Sequence, residues 1–99
     1  MKNRKKCKFC FVTVVSKKSW ENTRCWGFYA NIRYARELIK NHSKLLSENG
    51  CYDYAVIEKF ETGYLPFSGF QEWYKIGNKK AIQISRPQRF KNVVNFAIG

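Results

Sequence analysis

The sequence predicts an α+β domain, with one main amphipathic helix packed on a mostly antiparallel sheet of about four strands. Three observations carry this reading: an apolar, β-branched run at residues 9–15, a stretch of helical period after Asn31, and strand-like segments on either side of Gly77-Asn78. The 99 residues suffice for one modest core, which excludes a second catalytic domain.

Residues 1–8, MKNRKKCK, hold five positive charges and no acid, and read as a flexible basic arm; residues 9–99 make up the single α+β domain. FCFVTVV is apolar on both alternating faces, with Phe9, Phe11 and Val15 on one and Cys10, Val12 and Val14 on the other, as a central strand requires. SKKSWENTRCWG is polar apart from Trp20, Cys25 and Trp26 and reads as a long connection, a kind of segment that is usually functional or disordered. Its two tryptophans favour function.

Asn31 is placed to cap a helix in which Ile32, Ala35, Leu38, Ile39, Leu45 and Leu46 form the apolar stripe, ending at Asn49-Gly50. Arg33, Arg36, Glu37, Lys40 and Lys44 fall on its other face. CYDYAVIEKF is a second strand, apolar on both sides in its middle and expected to pair with the first. TGYLPFSG, broken by Pro66, reads as a loop or edge excursion. FQEWYKI and KAIQIS then form a hairpin around Gly77-Asn78, with Trp73 on one face and Tyr74 and Ile76 on the other, closed by Arg86-Pro87. VVNFAI adds a last short strand.

Nineteen Lys and Arg against seven acids leave a net charge of +12, which favours anionic partners. The apolar run at residues 9–15 is too short to span a bilayer, and no export signal is seen, so a cytoplasmic protein with no membrane partner is expected. Cys7, Cys10, Cys25 and Cys51 are then expected as free thiols.

FVTVV, TRCWGFY, Asn41, YDYAVIEKFETGYLP, EWYK and NFAIG, in that order, resemble a widespread family of small, largely uncharacterised bacterial and phage proteins. The resemblance runs from Phe9 to Gly99, and RCWGFY, YAVIE and NFAIG are its most specific strings. The chain departs from the family pattern at Lys44, where the helix usually carries an acid, and in its basic arm; both departures push the surface toward anions. By analogy of habitat and size, the resemblance implies a phage anti-defence role in the host cytoplasm, as a sponge that hides cyclic nucleotides or ADP-ribose derivatives used as immune messengers.

The candidate ligand-binding residues are Arg24, Trp26, Tyr29, Asn31, Arg33, Asn41, Trp73 and Tyr74. Arg24 and Arg33 suit phosphates, Trp26, Tyr29 and Trp73 suit stacking on a base, and Asn31 or Asn41 suits ribose or base edges. Gly27 allows close backbone approach, and the helix start offers free N–H groups to an anion. Adjacent strand residues face opposite ways, so one of Trp73 and Tyr74 is expected to be available unless a partner subunit covers it. Phe28, Ile32 and Ala35 read as core; the competing reading makes Trp26 core with Phe28 and pairs Arg24 with a nearby acid such as Glu58.

Cys7-x-x-Cys10 lacks the second pair of a zinc ribbon and sits at the start of a strand, so no metal or cofactor is expected. His42 reads as a packed or rim histidine. Glu58 and Glu61 are the nearest approach to a catalytic carboxylate pair, and no nucleophile elbow or phosphate-cradling loop is present, so no catalytic residue is named and the chain is not expected to be an enzyme. The arm with Lys17, Lys18, Lys79, Lys80, Arg86, Arg89 and Lys91 would bind nucleic acid non-specifically, although no nucleic-acid module matches. The resulting expectation is a non-catalytic protein that sequesters an anionic nucleotide, with enclosure between copies of a homo-oligomer as a dependent expectation. Its rivals are an inhibitor that binds a host defence protein directly, and a basic nucleic-acid binder.

Overall fold

A sheet of five strands, all antiparallel, carries two helices on one face in a computed structural model of the chain. The structure describes residues 8–16, 23–61 and 66–90. The strands are β1 Lys8–Val15, β2 Thr23–Tyr29, β3 Tyr54–Glu61, β4 Pro66–Lys75 and β5 Ile82–Ile84, in spatial order β2-β1-β3-β4-β5. The helices, α1 Ile32–Asn41 and α2 Ser43–Ser47, join β2 to β3 and so pass over β1, which lies between those strands. The result is a single α+β domain, whose described residues supply five strands where about four were expected.

The doubly apolar run of β1 is explained by its place, paired with β2 on one side and β3 on the other. Cys10, Val12 and Val14 face the helices and pack with Ala35, Ile39 and Leu46, together with Ala55, Ile57, Tyr74 and Ile76. Val15 takes the opposite face with Val56, Trp73 and Phe90, where the Trp73 and Phe90 rings stack at 5.5 Å. Burying both faces is what demands apolar residues at successive positions. The hairpin around Gly77-Asn78 joins β4 to β5, and Trp73 and Tyr74 lie on opposite faces as the alternation requires.

Several expectations are corrected. The segment read as a long connection ends inside β2, whose Thr23–Tyr29 pairs with Val15–Cys10. The stretch from Pro66 to Gly69, read as part of a loop or edge excursion, is the start of β4, with Pro66 beside Phe60 as the strand's first residue, where no ladder N–H is needed. The helix is not continuous, because His42 leaves helical geometry at φ −131°, ψ 34°. Directly after it, the buried Ser43 hydroxyl donates to the Gly77 carbonyl at 3.2 Å and accepts from the Gly77 N–H at 3.1 Å, fastening α2 to the β4–β5 turn. That tether re-phases the helix face: Leu46 stays buried while Leu45, on the expected apolar stripe, is 58% exposed.

The arm up to Cys7, the positions Lys17, Lys18, Trp20 and Lys91, and the C-terminal VVNFAI lie outside the described residues. Among the described residues, no helix is long and apolar enough to cross a membrane.

Candidate functional site

The site begins with an irregularity in β2. The β1–β2 register slips between Val12↔Gly27 and Thr13↔Cys25, leaving Trp26 as the extra residue of a bulge, and Gly27 takes φ +124°. Strict alternation would put Arg24, Trp26 and Phe28 on one face and leave Tyr29 on the other. The bulge changes the phase, so Arg24, opposite Val14, and Tyr29, opposite Cys10, share the helix-facing side, where Trp26 also packs. Phe28 is thereby turned outward, 61% exposed and 5.7 Å from the Phe11 ring, so it is not the core residue expected. Gly27 serves this backbone conformation; its nearest contact for an added Cβ would be an ordinary 3.6 Å to Tyr29 Oη.

The two-residue link from Tyr29 to Ile32 then sends α1 back along β2, so the end of the helix, not its start, meets the beginning of the strand. Ten residues of helix separate Asn31 from the far end by about 15 Å. Asn31 caps α1, its Oδ1 accepting the Arg33 N–H at 2.8 Å, and both residues are exposed there. They do not join the site. Asn41 does, at the other end.

A cleft of about 750 Å³ lies between the start of β2 and the α1–α2 junction. Arg24 and Trp26 line it from the strand, and Asn41, His42 and Lys44 from the junction. Leu45, Glu48 and Asn49 complete the wall. Arg24 Nη1 lies 3.3 Å from Glu48 Oε1, an exposed pair that replaces the expected partnership with Glu58. Glu58 is buried on the opposite sheet face and accepts from Gln71 Nε2 at 2.8 Å, which puts it out of reach of Arg24. The indole N–H of Trp26 is buried without an acceptor, a cost on the wall of the cleft. Tyr29 packs behind Trp26 and reaches the Trp26 carbonyl through a long 3.5 Å hydrogen bond; burial, with Cys25 nearby, pushes its phenol above the usual tyrosine value.

Trp73 and Tyr74 are both core, at 1% and 2% exposure, so neither supplies an open stacking surface. The reason is that both sheet faces are covered: Phe90 lies against Trp73, and α1 lies over Tyr74. Tyr74 donates to Glu72, which also receives the Arg36 guanidinium through Nε at 2.7 Å and Nη2 at 2.8 Å. The Arg36 hydrogen bonds hold the Glu72 carboxyl below the ordinary carboxylate value despite its burial. Burial and the bond to Glu72 push the Tyr74 phenol well above its own. This network is a clamp that fixes α1 on the sheet and so fixes the cleft beside it.

Of the basic positions, Lys79 and Lys80 are exposed in the β4–β5 turn, whereas the Arg86 guanidinium is spent on the Phe90 carbonyl. Cys10 is buried, and Cys25 and Cys51 are exposed. Among the described residues, no three His, Cys, Asp or Glu side chains gather as metal ligands would.

Of the eight expected site residues, Arg24, Trp26 and Asn41 converge on the cleft, and Tyr29 contacts the Trp26 backbone without lining it. His42, Lys44, Leu45, Glu48 and Asn49 were not named as site residues. The sequence singles out His42 as a packed or rim residue and Lys44 as a cation near the helix end, but it carries no signal that brings either to Arg24. No protein-family model, curated protein or solved structure matches the chain.

Proposed function

We propose that the protein is a non-catalytic binding protein that takes an anionic nucleotide in the cleft between β2 and the α1–α2 junction. The observation that carries this reading is the convergence of Arg24 and Trp26 from the strand with Asn41 and Lys44 from the helical end. Arg24 and Lys44 attract phosphate, the first through a planar fork and the second as a point charge. Trp26 offers an indole for a base, and Asn41 offers donor and acceptor to ribose or base edges. The cleft volume is in the range of small-ligand sites, and the net charge of +12 favours anionic partners.

The finer reading is that of a phage-type sponge, which hides a cyclic nucleotide or an ADP-ribose derivative from a host immune effector. What supports it is the resemblance in RCWGFY, YAVIE and NFAIG joined to a cleft of this chemistry. Native mass spectrometry on protein incubated with a panel of such nucleotides tests both levels. Retention of a nucleotide that is recovered unaltered after heat release is the expected result. Recovery of a changed molecule would make the protein an enzyme, and failure to retain any member would remove the nucleotide reading.

A further inference from the structure

Glu48 is the one acid among the residues lining the cleft, and it already sits on Arg24. The pair is a single 3.3 Å contact, unlike the two-pronged grip of Arg36 on Glu72 at 2.7 and 2.8 Å. Arg24 is 61% exposed and Glu48 27%, so water screens the attraction and the contact exchanges easily. Among the described residues, the remaining N–H groups of the Arg24 guanidinium and the second oxygen of Glu48 meet no partner.

The backbone adds an independent observation. Glu48 closes α2 in the left-handed region at φ 50°, ψ 55°, followed by Asn49 at φ 61° and Gly50 at φ 90°. Glycine and asparagine enter that region readily, whereas glutamate has neither a missing Cβ nor a short side chain that bonds its own backbone. Glu48 thus stands in a backbone conformation that favours glycine while its side chain meets Arg24.

We infer that Glu48 is an internal anion that occupies Arg24 until a ligand displaces it, and that it thereby sets the charge a ligand must carry. The inference rests on the cleft being an anion site, as proposed above. A ligand with one negative charge exchanges one guanidinium contact for another and gains little. A diphosphate group engages Lys44 as well as Arg24, so its second charge is pure gain. The cleft therefore takes nucleotides with a diphosphate bridge or tail over those with a single charge.

The test titrates inorganic phosphate, in mildly acidic solution where it carries mainly one charge, and pyrophosphate, following the Arg24 side-chain N–H signals by NMR. Wild-type protein is expected to bind pyrophosphate at least about tenfold more tightly, the gain of a second charge-assisted contact. Glu48→Gln and Glu48→Gly should each bind both anions at least about twofold more tightly than wild type, the return from releasing one exposed ion pair. Lys44→Ala should remove the advantage of pyrophosphate. Glycine suits φ 50°, so Glu48→Gly should also melt no lower than wild type, which keeps loss of folding out of the comparison.

Unchanged or weaker anion binding in both Glu48 variants overturns the inference, as does the absence of binding of either anion to all the proteins. If nucleotides fail to bind while the Glu48 variants gain anion affinity, the nucleotide reading falls and the role of Glu48 stands. If nucleotides bind and anion affinity ignores Glu48, the reverse holds.

Discussion

The Arg36 guanidinium on α1 holds both carboxylate oxygens of Glu72 on β4, at 2.7 and 2.8 Å, across 36 residues of chain. Glu72 is only 10% exposed, so losing Arg36 would leave a nearly buried carboxylate with the Tyr74 hydroxyl as its remaining side-chain donor among the described residues. Arg36→Ala is expected to cost roughly 2–3 kcal/mol of unfolding free energy, read by urea titration at neutral pH. The acid side follows from the direction of the Glu72 shift. A carboxyl held below its ordinary value of 4.5 contributes stability that is fully present above that pH and is lost as the pH falls through the folded-state value. Glu72→Gln should therefore flatten the stability profile below about pH 4.5 while lowering stability at neutral pH. An unchanged acid limb in that variant would show that the clamp does not govern it.

Gly27 holds φ +124° at the bulge that turns Arg24, Trp26 and Tyr29 to one side. A side chain there is strained by the backbone although its nearest contact, Tyr29 Oη at 3.6 Å, is an ordinary one, so Gly27→Ala is expected to cost about 1–3 kcal/mol. For a domain of this size that is a drop of several degrees in Tm, measurable by calorimetry. A neutral substitution would mean that the bulge conformation is not required.

Arg24 and Phe28 sit four residues apart on β2 but face opposite sides of the sheet, both exposed. Arg24→Ala should lower nucleotide affinity at least about tenfold, the loss of one charge-assisted contact, and change stability by no more than about 0.5 kcal/mol. Phe28→Ser should leave affinity unchanged. Calorimetric titration of both variants separates cleft chemistry from general damage to the strand. Equal losses in the two would argue against the cleft.

Cys10 is buried against the helices, and burial pushes its thiol above the usual cysteine value, outweighing the pull of Lys59 and Arg36. Cys25 and Cys51 are exposed. Alkylation of native protein followed by peptide mass spectrometry should modify Cys25 and Cys51 quickly and Cys10 only on unfolding. Rapid native labelling of Cys10 would show that α1 lifts from the sheet.

The sequence alone determined the kinds of element and their order wherever the signal was local. The doubly apolar FCFVTVV and YAVIE segments announced strands buried on both faces, the Ile32, Ala35 and Ile39 spacing announced α1, and Gly77-Asn78 announced the last hairpin. The chemistry of Arg24, Trp26 and Asn41 was also legible, because fork, indole and amide mean the same wherever the chain puts them. Tertiary structure decided how these residues meet. The bulge at Trp26 and Gly27 exists only against β1 and reverses the facing of Phe28 and Tyr29. The break at His42 goes with the fastening of Ser43 to Gly77 in a distant turn, and it brings Lys44, Leu45 and Glu48 to the cleft. Trp73 and Tyr74 are buried because opposite faces of their strand are covered by different parts of the chain. Periodicity reports which residues one element turns to each side; what waits on that side is set by contacts far apart in sequence, such as the Arg24–Glu48 pair 24 residues apart.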